Sequence, residues 1–302
     1  MIRKHWIHLG FQICKLYLQQ KNNQRNITTQ SYNEIAAAYD NNSPENTNEF
    51  INEMICRIHF PKIGKVVDLT CGTGCFTNLI SKHFDGEVIG VDISHEMLKI
   101  AKEKYGDSCQ FVCRDAMEFL QDQPSESIDV VTCAWGLGYL QLNATIREIS
   151  RVLKPAGHLA VIDNSLSSVY EIVISGISTI AEYPTSVINI MHGQWVFTKG
   201  SLARRMRRFG LQVIFLRNGE TTYYANNEKN AIDFLLNTGT VAGFQYCIDP
   251  NYSKIIKQRF GEIFKKSYGT EKGLPITHRF IIAVGKKPAK KSTRLEKKCP
   301  YM

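Results

Sequence analysis

The run Val66-Val67-Asp68-Leu69-Thr70-Cys71-Gly72-Thr73-Gly74 holds the residue types that speak most directly of chemistry. Small residues straight after an apolar strand let a ligand approach backbone amides that a Cβ would block. The pattern stops short of G-x-G-x-x-G, because Thr77 stands at the third glycine position, which counts against a dinucleotide pyrophosphate site. No Gly-Lys-Ser/Thr follows, so it is not a phosphate-cradling P-loop either. What it has instead is an acid, Asp68, just before the loop, suited to a ligand amine. A second carboxylate, Asp92, ends the next apolar run, where it can accept from both hydroxyls of a ribose. A third, Asp115, follows the next run and is placed to accept from the exocyclic amine of a base. Each acid alone reads as a strand-end cap. Three in succession beside a glycine loop read as a nucleoside site.

Residues this far apart converge only if the elements between them bring them together. Val66–Leu69 reads as a short buried strand, with Gly72-Thr73-Gly74 opening a helix to about Lys82. Val88–Asp92 is a second strand, followed by Ser94 as an N-cap and a helix through Lys104. Gln110–Cys113 and Ile128–Cys133 are the third and fourth; a helix carrying Ile146, Ile149 and Val152 ends at Lys154-Pro155-Ala156-Gly157 before a fifth, His158–Asp163. Apolar strands alternating with amphipathic helices predict a parallel sheet covered on both faces, binding ligands at the strands' carboxyl ends. The strand-closing residues Asp68, Asp92, Asp115, Trp135 and Asp163 are therefore the ones to question. After Asp163 the rhythm breaks, and residues 165–198, apolar and aromatic-rich, suit an inserted lid. A helix at 199–209 capped by Gly210, a strand Leu211–Phe215, helices at 228–237 and 252–266 and a last strand Arg279–Val284 follow.

The chain has 302 residues, 43% of them apolar and 22% charged, which excludes wholesale disorder and fibrous repeats. Its net charge of +9 is concentrated at the ends. Residues 1–33 carry five cations and no acid, and residues 286–302 carry seven cations against Glu296 alone, so residues 34–285 are near neutral. That placement weakens the inference to nucleic acid that a basic protein invites. The nine cysteines show no C-x-x-C pair, and no ligand set for a metal is expected. An odd cysteine count without a secretory apolar region reads as reduced thiols in a cytoplasm. Ile2, Trp6, Leu9, Ile13, Leu16 and Tyr17 recur at helical spacing among basic residues. They suit a helix lying on an anionic membrane, an organelle-targeting segment, or an extra helix docked on the body.

Together these segments resemble the class I S-adenosylmethionine-dependent methyltransferases. Asp68–Gly74 is similar to their first motif, and Gly90-Val91-Asp92-Ile93-Ser94-His95-Glu96-Met97-Leu98 to their second. Arg114-Asp115-Ala116 resembles the adenine-contacting segment; Ile128–Val131 and Ile149–Leu159 resemble the fourth strand and the approach to the fifth. Tyr32–Asp40 resembles the opening helix of the small-molecule branch. The likeness is dense over residues 31–163, and over 198–285 lies only in the order of elements. Thr70 departs from it, standing where the first glycine is usual.

The resemblance implies an α/β fold: a Rossmann-like doubly wound seven-stranded sheet, mostly parallel with an antiparallel last strand, and an inserted helical lid. The expected divisions are a basic amphipathic extension (1–30), a cofactor-binding core (31–164), the lid (165–198), the rest of the methyltransferase fold with a helical insertion (199–285) and a basic disordered tail (286–302). The implied cofactor is S-adenosyl-L-methionine. Asp68 and the backbone of Thr70, Gly72 and Gly74 would hold its methionine end, and Asp92 its ribose. Ile93 and Met97 would flank the adenine, and Asp115 with Ala116 would read its edge; Met97 is equally plain helix core. Trp135 would lie beside the sulfonium, as a cation-attracting face or as a pocket wall.

The acceptor is less legible. After the fourth strand stands Cys133-Ala134-Trp135-Gly136-Leu137-Gly138-Tyr139, without the proline motif of nucleobase and glutamine amino-methylating enzymes. The lid residues, such as Tyr170, Ile172 and Trp195, suggest a small, largely apolar acceptor: a quinone, a lipid or a polyketide-like metabolite. If a base is needed, His192 in the lid is the first candidate, with Tyr39 and Tyr139 as alternatives. Arg204-Arg205-Met206-Arg207-Arg208 reads as a solvated helix face or as a dock for an anionic partner. The expectation is thus a cytoplasmic enzyme taking a small-molecule acceptor, with peripheral contact to an anionic membrane open and no statement on oligomeric state. RNA methylation and a non-catalytic cofactor-binding regulator are the alternatives.

Overall fold

Val66 and Val67 are both fully buried although neighbouring strand residues point to opposite faces, so the sheet that holds them is covered twice. The computed structural model describes residues 2–19, 24–40, 47–190 and 198–290. Its strands are β1 (Lys65–Leu69), β2 (Glu87–Asp92), β3 (Gln110–Cys113), β4 (Ile128–Ala134), β5 (Leu153–Asn164), β6 (Gln212–Ala225) and β7 (Leu274–Lys286), in one seven-stranded sheet of order β3-β2-β1-β4-β5-β7-β6. The first five strands are parallel, and β7 lies antiparallel between β5 and β6. The expected α/β sheet with its antiparallel last strand is the one observed.

The helices are α1 (Ile2–Gln19), α2 (Gln24–Tyr39), α3 (Thr47–Ile55), α4 (Cys75–Ser81), α5 (His95–Tyr105), α6 (Ala116–Asp122), α7 (Leu142–Val152), α8 (Tyr170–Glu182), α9 (Lys199–Arg208), α10 (Glu228–Asn237) and α11 (Ser253–Tyr268). Helices α3, α4 and α5 pack Met54, Ile80 and Leu98 against Val66, Val130 and Ile282. On the other face α6, α7 and α9 pack Leu120, Ile149 and Met206 against Val67, Val131 and Ile281. Ser94 caps α5 by accepting from the Met97 amide, as the sequence predicts.

The largest difference from the sequence reading is at β6 and β7. Both were expected to be short, yet β6 has 14 residues and β7 has 13. Beyond the segment paired with β5, Glu220–Ala225 and Leu274–Arg279 pair only with each other. This ribbon carries a satellite core: α8, α10 and α11 bury Ile172, Phe234, Leu235 and Phe264 against Ala225, Leu274 and Ile276. Polar residues such as Thr221 and Thr222 hid the ribbon, because a two-stranded extension is half exposed and needs no apolar run.

Helix α1 is docked rather than free. Leu9 is buried against Ala181 and Val187, and Gln12 Nε2 donates to the Val187 carbonyl at 2.7 Å. Helix α2 runs through the expected division at residue 30, with Ser31 Oγ accepting from the Gly243 amide. The expected tail begins later than residue 286: Lys286 ends β7, and Lys287 Nζ donates to the carbonyls of Ser150 and Leu153. The rest of that tail lies outside the described residues.

Candidate active site

The carboxyl ends of β1, β2, β4 and β5 open into a cleft of about 1470 Å³, at the switch point where parallel doubly wound sheets bind ligands. Thr70, Gly72, Asp92, Ile93, Met97, Asp115, Ala116, Trp135, Tyr39 and Tyr139 all line it. Asp68 and Gly74 do not line it, and His192 lies outside the described residues.

The loop after β1 turns through three left-handed residues, Thr70 (φ 56°), Gly72 (φ 55°) and Gly74 (φ 79°). A Cβ on Gly74 would come within 2.8 Å of the Phe111 ring, so this glycine serves packing. A Cβ on Gly72 would meet nothing within 4 Å, so there the missing side chain leaves room above the loop. The Gly72 amide donates to Asp92 Oδ2 at 2.8 Å, and the Ser94 amide to Asp92 Oδ1 at 2.8 Å. Thr70 is a β-branched residue held in a conformation that favours glycine. Its hydroxyl donates to the Leu69 carbonyl, and its side chain fills space that a Cβ on Gly136 would invade at 1.9 Å. Trp135, at φ 60°, is a second strained residue on the rim, its ring edge-on to Phe280 at 5.2 Å. Strain of this kind concentrates at functional sites.

Asp68 requires a correction: it does not face a ligand amine. It is buried beneath the loop, with Oδ1 accepting from Thr132 Oγ1 and Oδ2 from Thr77 Oγ1, each at 2.7 Å. Burial pushes its pKa up to about 6 against the pull of those two hydroxyls. Asp92 is also raised by burial, opposed by the amides it accepts from. Asp115 combines both sequence readings: Oδ1 caps α6 by accepting from the Met117 and Glu118 amides, and the residue lines the cleft. Asp163, at the end of β5, lines the cleft too; it accepts from the Gly138 amide at 3.0 Å, and burial lifts it to about 6.

Helix α2 closes one side. Tyr32 and Tyr139 share a hydroxyl–hydroxyl hydrogen bond of 3.0 Å, and the Tyr32 ring stands edge-on to Tyr39 and Tyr139. Burial pushes the Tyr32 and Tyr39 hydroxyls up, so Tyr39 is suited to donating a hydrogen bond and not to taking a proton. The helix is tied to the loops after β1 and β2 by Ser94 Oγ donating to Asn33 Oδ1 and Thr73 Oγ1 to Asp40 Oδ1, both at 2.6 Å.

Among the described residues of the segment expected to be a lid, Ser168 and Val169 line the cleft. Tyr170, Val173 and Ile177 are exposed, because α8 spends its other face on the satellite core. The far end of the cleft is walled instead by Thr240, Ala242 and Phe244 after α10 and by His278 on β7. Two lining residues hold buried side-chain atoms without a hydrogen-bond partner among the described residues, Thr145 Oγ1 and His278 Nε2. Arg204, Arg205, Arg207 and Arg208 lie on α9 away from the cleft. Among the described residues no cluster suits a metal ion, and no helix is long and apolar enough to cross a membrane.

Residues 66–157 match the family model described as a methyltransferase domain. A demethylmenaquinone methyltransferase from Symbiobacterium thermophilum is 33% identical over 121 residues, covering 37% of this chain and 47% of that protein. One from Staphylococcus saprophyticus is 41% identical over 109 residues, covering 33% and 45%. Each match therefore spans less than half of the relative. Among solved structures, a putative methyltransferase from Bacillus halodurans superposes with a TM-score of 0.55 at 16% identity, covering 80% of this chain and all of that one.

Proposed function

With residues 66–157 a methyltransferase domain, on a Rossmann-like methyltransferase fold, we propose that this protein transfers a methyl group from S-adenosyl-L-methionine to a small, quinone-like ring acceptor. The observation that carries the reading is the cleft itself. It runs from the Gly72–Asp92 couple to a far wall that includes Ala242 and Phe244, and its volume of about 1470 Å³ exceeds the ~300–1,000 Å³ usual for a single small ligand. That volume leaves room for a second ligand beside the cofactor.

The residues suit the cofactor. Asp92 has lone pairs left beyond its two amide bonds to accept from the ribose diol. Ile93 and Met97 flank the adenine, Asp115 and Ala116 meet its edge, and Tyr32 with Tyr139 closes the methionine side. Asp68 acts indirectly, holding the loop through Thr77 and Thr132. When bound, the cofactor supplies a methyl group on a cationic sulfur. Around that sulfur the chain offers the Trp135 ring and Asp163, both favourable to a cation. Acceleration then rests on alignment and exclusion of water.

Helix α1 suits an acceptor carried in a lipid surface. Ile7, Phe11, Cys14 and Leu18 form an exposed stripe opposite buried Leu9, and the first 33 residues hold no acid. Tyr17, on the same helix, lines the cleft. These features favour a peripheral, lipid-facing enzyme over one that binds RNA.

Calorimetric titration tests the first half of the reading. S-adenosylmethionine and its demethylated product should bind at micromolar strength and NAD far more weakly. Asp92→Ala removes a charge-assisted acceptor worth roughly 1.5–3 kcal/mol per bond, so affinity should fall at least about tenfold. Reduced demethylmenaquinone with a short side chain should gain one methyl group, detected by mass spectrometry. Equal binding of NAD, or no methylated quinol, would count against it.

A further inference from the structure

We propose that His278 is a catalytic residue of the acceptor end, the group that takes the acceptor's hydroxyl proton; this rests on the methyl-transfer reading above. Because β7 runs antiparallel to β5, with Phe280 opposite Asn164, its earlier residues lie at the carboxyl end of β5. His278 thereby reaches the same rim as Asp92 and Asp163, more than a hundred residues later in the chain, and it lines the cleft. Its Nε2 is sealed from bulk solvent and has no hydrogen-bond partner among the described residues. A buried imidazole nitrogen without a partner is costly, and a small turn of the ring towards the cleft it lines would let a ligand supply one.

The surroundings fit a ring that waits neutral and is charged only in passing. Burial holds His278 down at about 4, so at neutral pH it carries a lone pair able to accept a proton. Glu171 at the start of α8 opposes that shift and would favour the imidazolium once formed. Its Oε1 accepts from Arg279 Nη2 at 3.2 Å, while its Oε2 is buried without a partner among the described residues. Arg279, next to His278 in the chain, also pairs with Glu220 on β6 at 3.6 Å, and Asp163 at the end of β5 lines the same cleft. A ring acceptor that keeps its hydroxyl proton is a weak nucleophile. As the proton passes to the imidazole, the freed electron density forms the bond to the methyl carbon, at the oxygen or at a conjugated ring carbon. The electron pair of the broken sulfur–carbon bond stays on sulfur. If carbon is methylated, its hydrogen returns to the oxygen as a proton, and one proton finally leaves from the imidazolium to solvent.

Two probes separate a proton-accepting role from a structural one: reduced short-chain demethylmenaquinone, which keeps its hydroxyl protons at neutral pH, and hydroxynaphthoquinone, which is already ionised. With the whole 302-residue chain, His278→Ala and His278→Gln should lower transfer to the quinol about a hundredfold. Transfer to hydroxynaphthoquinone and affinity for S-adenosylmethionine should stay within about threefold. Quinol transfer by the variants should also climb with pH towards wild type, as hydroxide does the work of the ring. Equal losses with both probes, no loss with the quinol, or a parallel loss of cofactor affinity would overturn the proposal. If wild type binds cofactor but methylates neither probe, the acceptor class is wrong, and quinol titration into the complex with demethylated cofactor decides the rest. Quinol binding that His278→Ala leaves unchanged, or no binding at all, overturns the contact.

Discussion

Between Lys65 and Asn164 the cleft is built from turns that follow strands, whereas beyond Asn164 it is built from the start of a helix, a loop between helices and a strand's middle. The two regions use different kinds of residue. In the first, the course of the backbone shapes the cleft, so the chain needs glycine where φ is positive and an acid where amides converge on a carboxylate. In the second, side chains such as Val169, Phe244 and His278 make the wall, and a wall of given shape can be made from many residue types. One half is constrained by the geometry of its backbone turns. The other is free to follow one substrate.

The sharpest way to break this comparison is Gly72→Val. A β-branched residue at φ 55° is strained, and its side chain would enter the space above the loop. Affinity for S-adenosylmethionine should fall about a hundredfold or more, equivalent to roughly 2.7 kcal/mol, in calorimetric titration. If affinity is untouched, the loop does not carry the cofactor. Phe244→Ala is the counterpart in the other half. Removing an aromatic wall should raise the KM for the quinol about tenfold through lost apolar contact, with cofactor affinity within twofold. A change in cofactor affinity instead would mean that the two halves are not separate.

A pH effect sharpens the comparison at the seam. Asp163 sits at about 6, above the ordinary carboxyl value of 3.8. Its contribution to stability is therefore fully present below about pH 3.8 and is lost as pH rises through about 6, on the order of 3 kcal/mol. Asp163→Asn should gain stability relative to wild type between pH 4 and pH 7 in thermal melts, and a cationic ligand should release a proton near pH 6 from wild type only. Asp68 is raised to a similar value but lies under the loop, so its proton should respond less to the ligand. The smallest effect is expected from Thr70→Gly. Relief of left-handed strain is nearly offset by the freedom that glycine adds to the unfolded chain, leaving a gain of about 0.5 kcal/mol. The melting temperature should rise by a degree or two and cofactor affinity should not change.

These differences explain which parts could be read from the sequence. The strands from Val66 to Asp163 and the cleft-lining glycine and acids were legible because both are set by local demands: apolar runs for a sheet covered twice, and glycine or acid at strand ends. Asp68 was misread in its target, since an acid at a strand end looks the same whether it faces a ligand or, as here, two threonine hydroxyls. Tyr32 was available as a signal, seven residues before Tyr39 on one helix and so on its face. His278 was hidden because the strand was read as starting at Arg279, although Leu274, Ile276 and Phe280 continue the alternation across it. Of the segment read as a lid, Val169 and Ile172 pack into the satellite core, a destination that an apolar segment without a period does not announce.

The place of β7 in the sheet also sets an order in time. The strand that slots between β5 and β6 is the last of the seven to leave the ribosome, roughly 120 residues after β5, an interval of about 6 to 24 s at usual rates of synthesis. Until it arrives, β5 is an open edge and the wall that holds His278 does not exist. The nascent chain thus holds the glycine loop and the acids of the first half of the cleft well before it holds the wall opposite them. The same pairing gives the sheet contacts of long sequence separation, so closing this seam should be the slow step of folding.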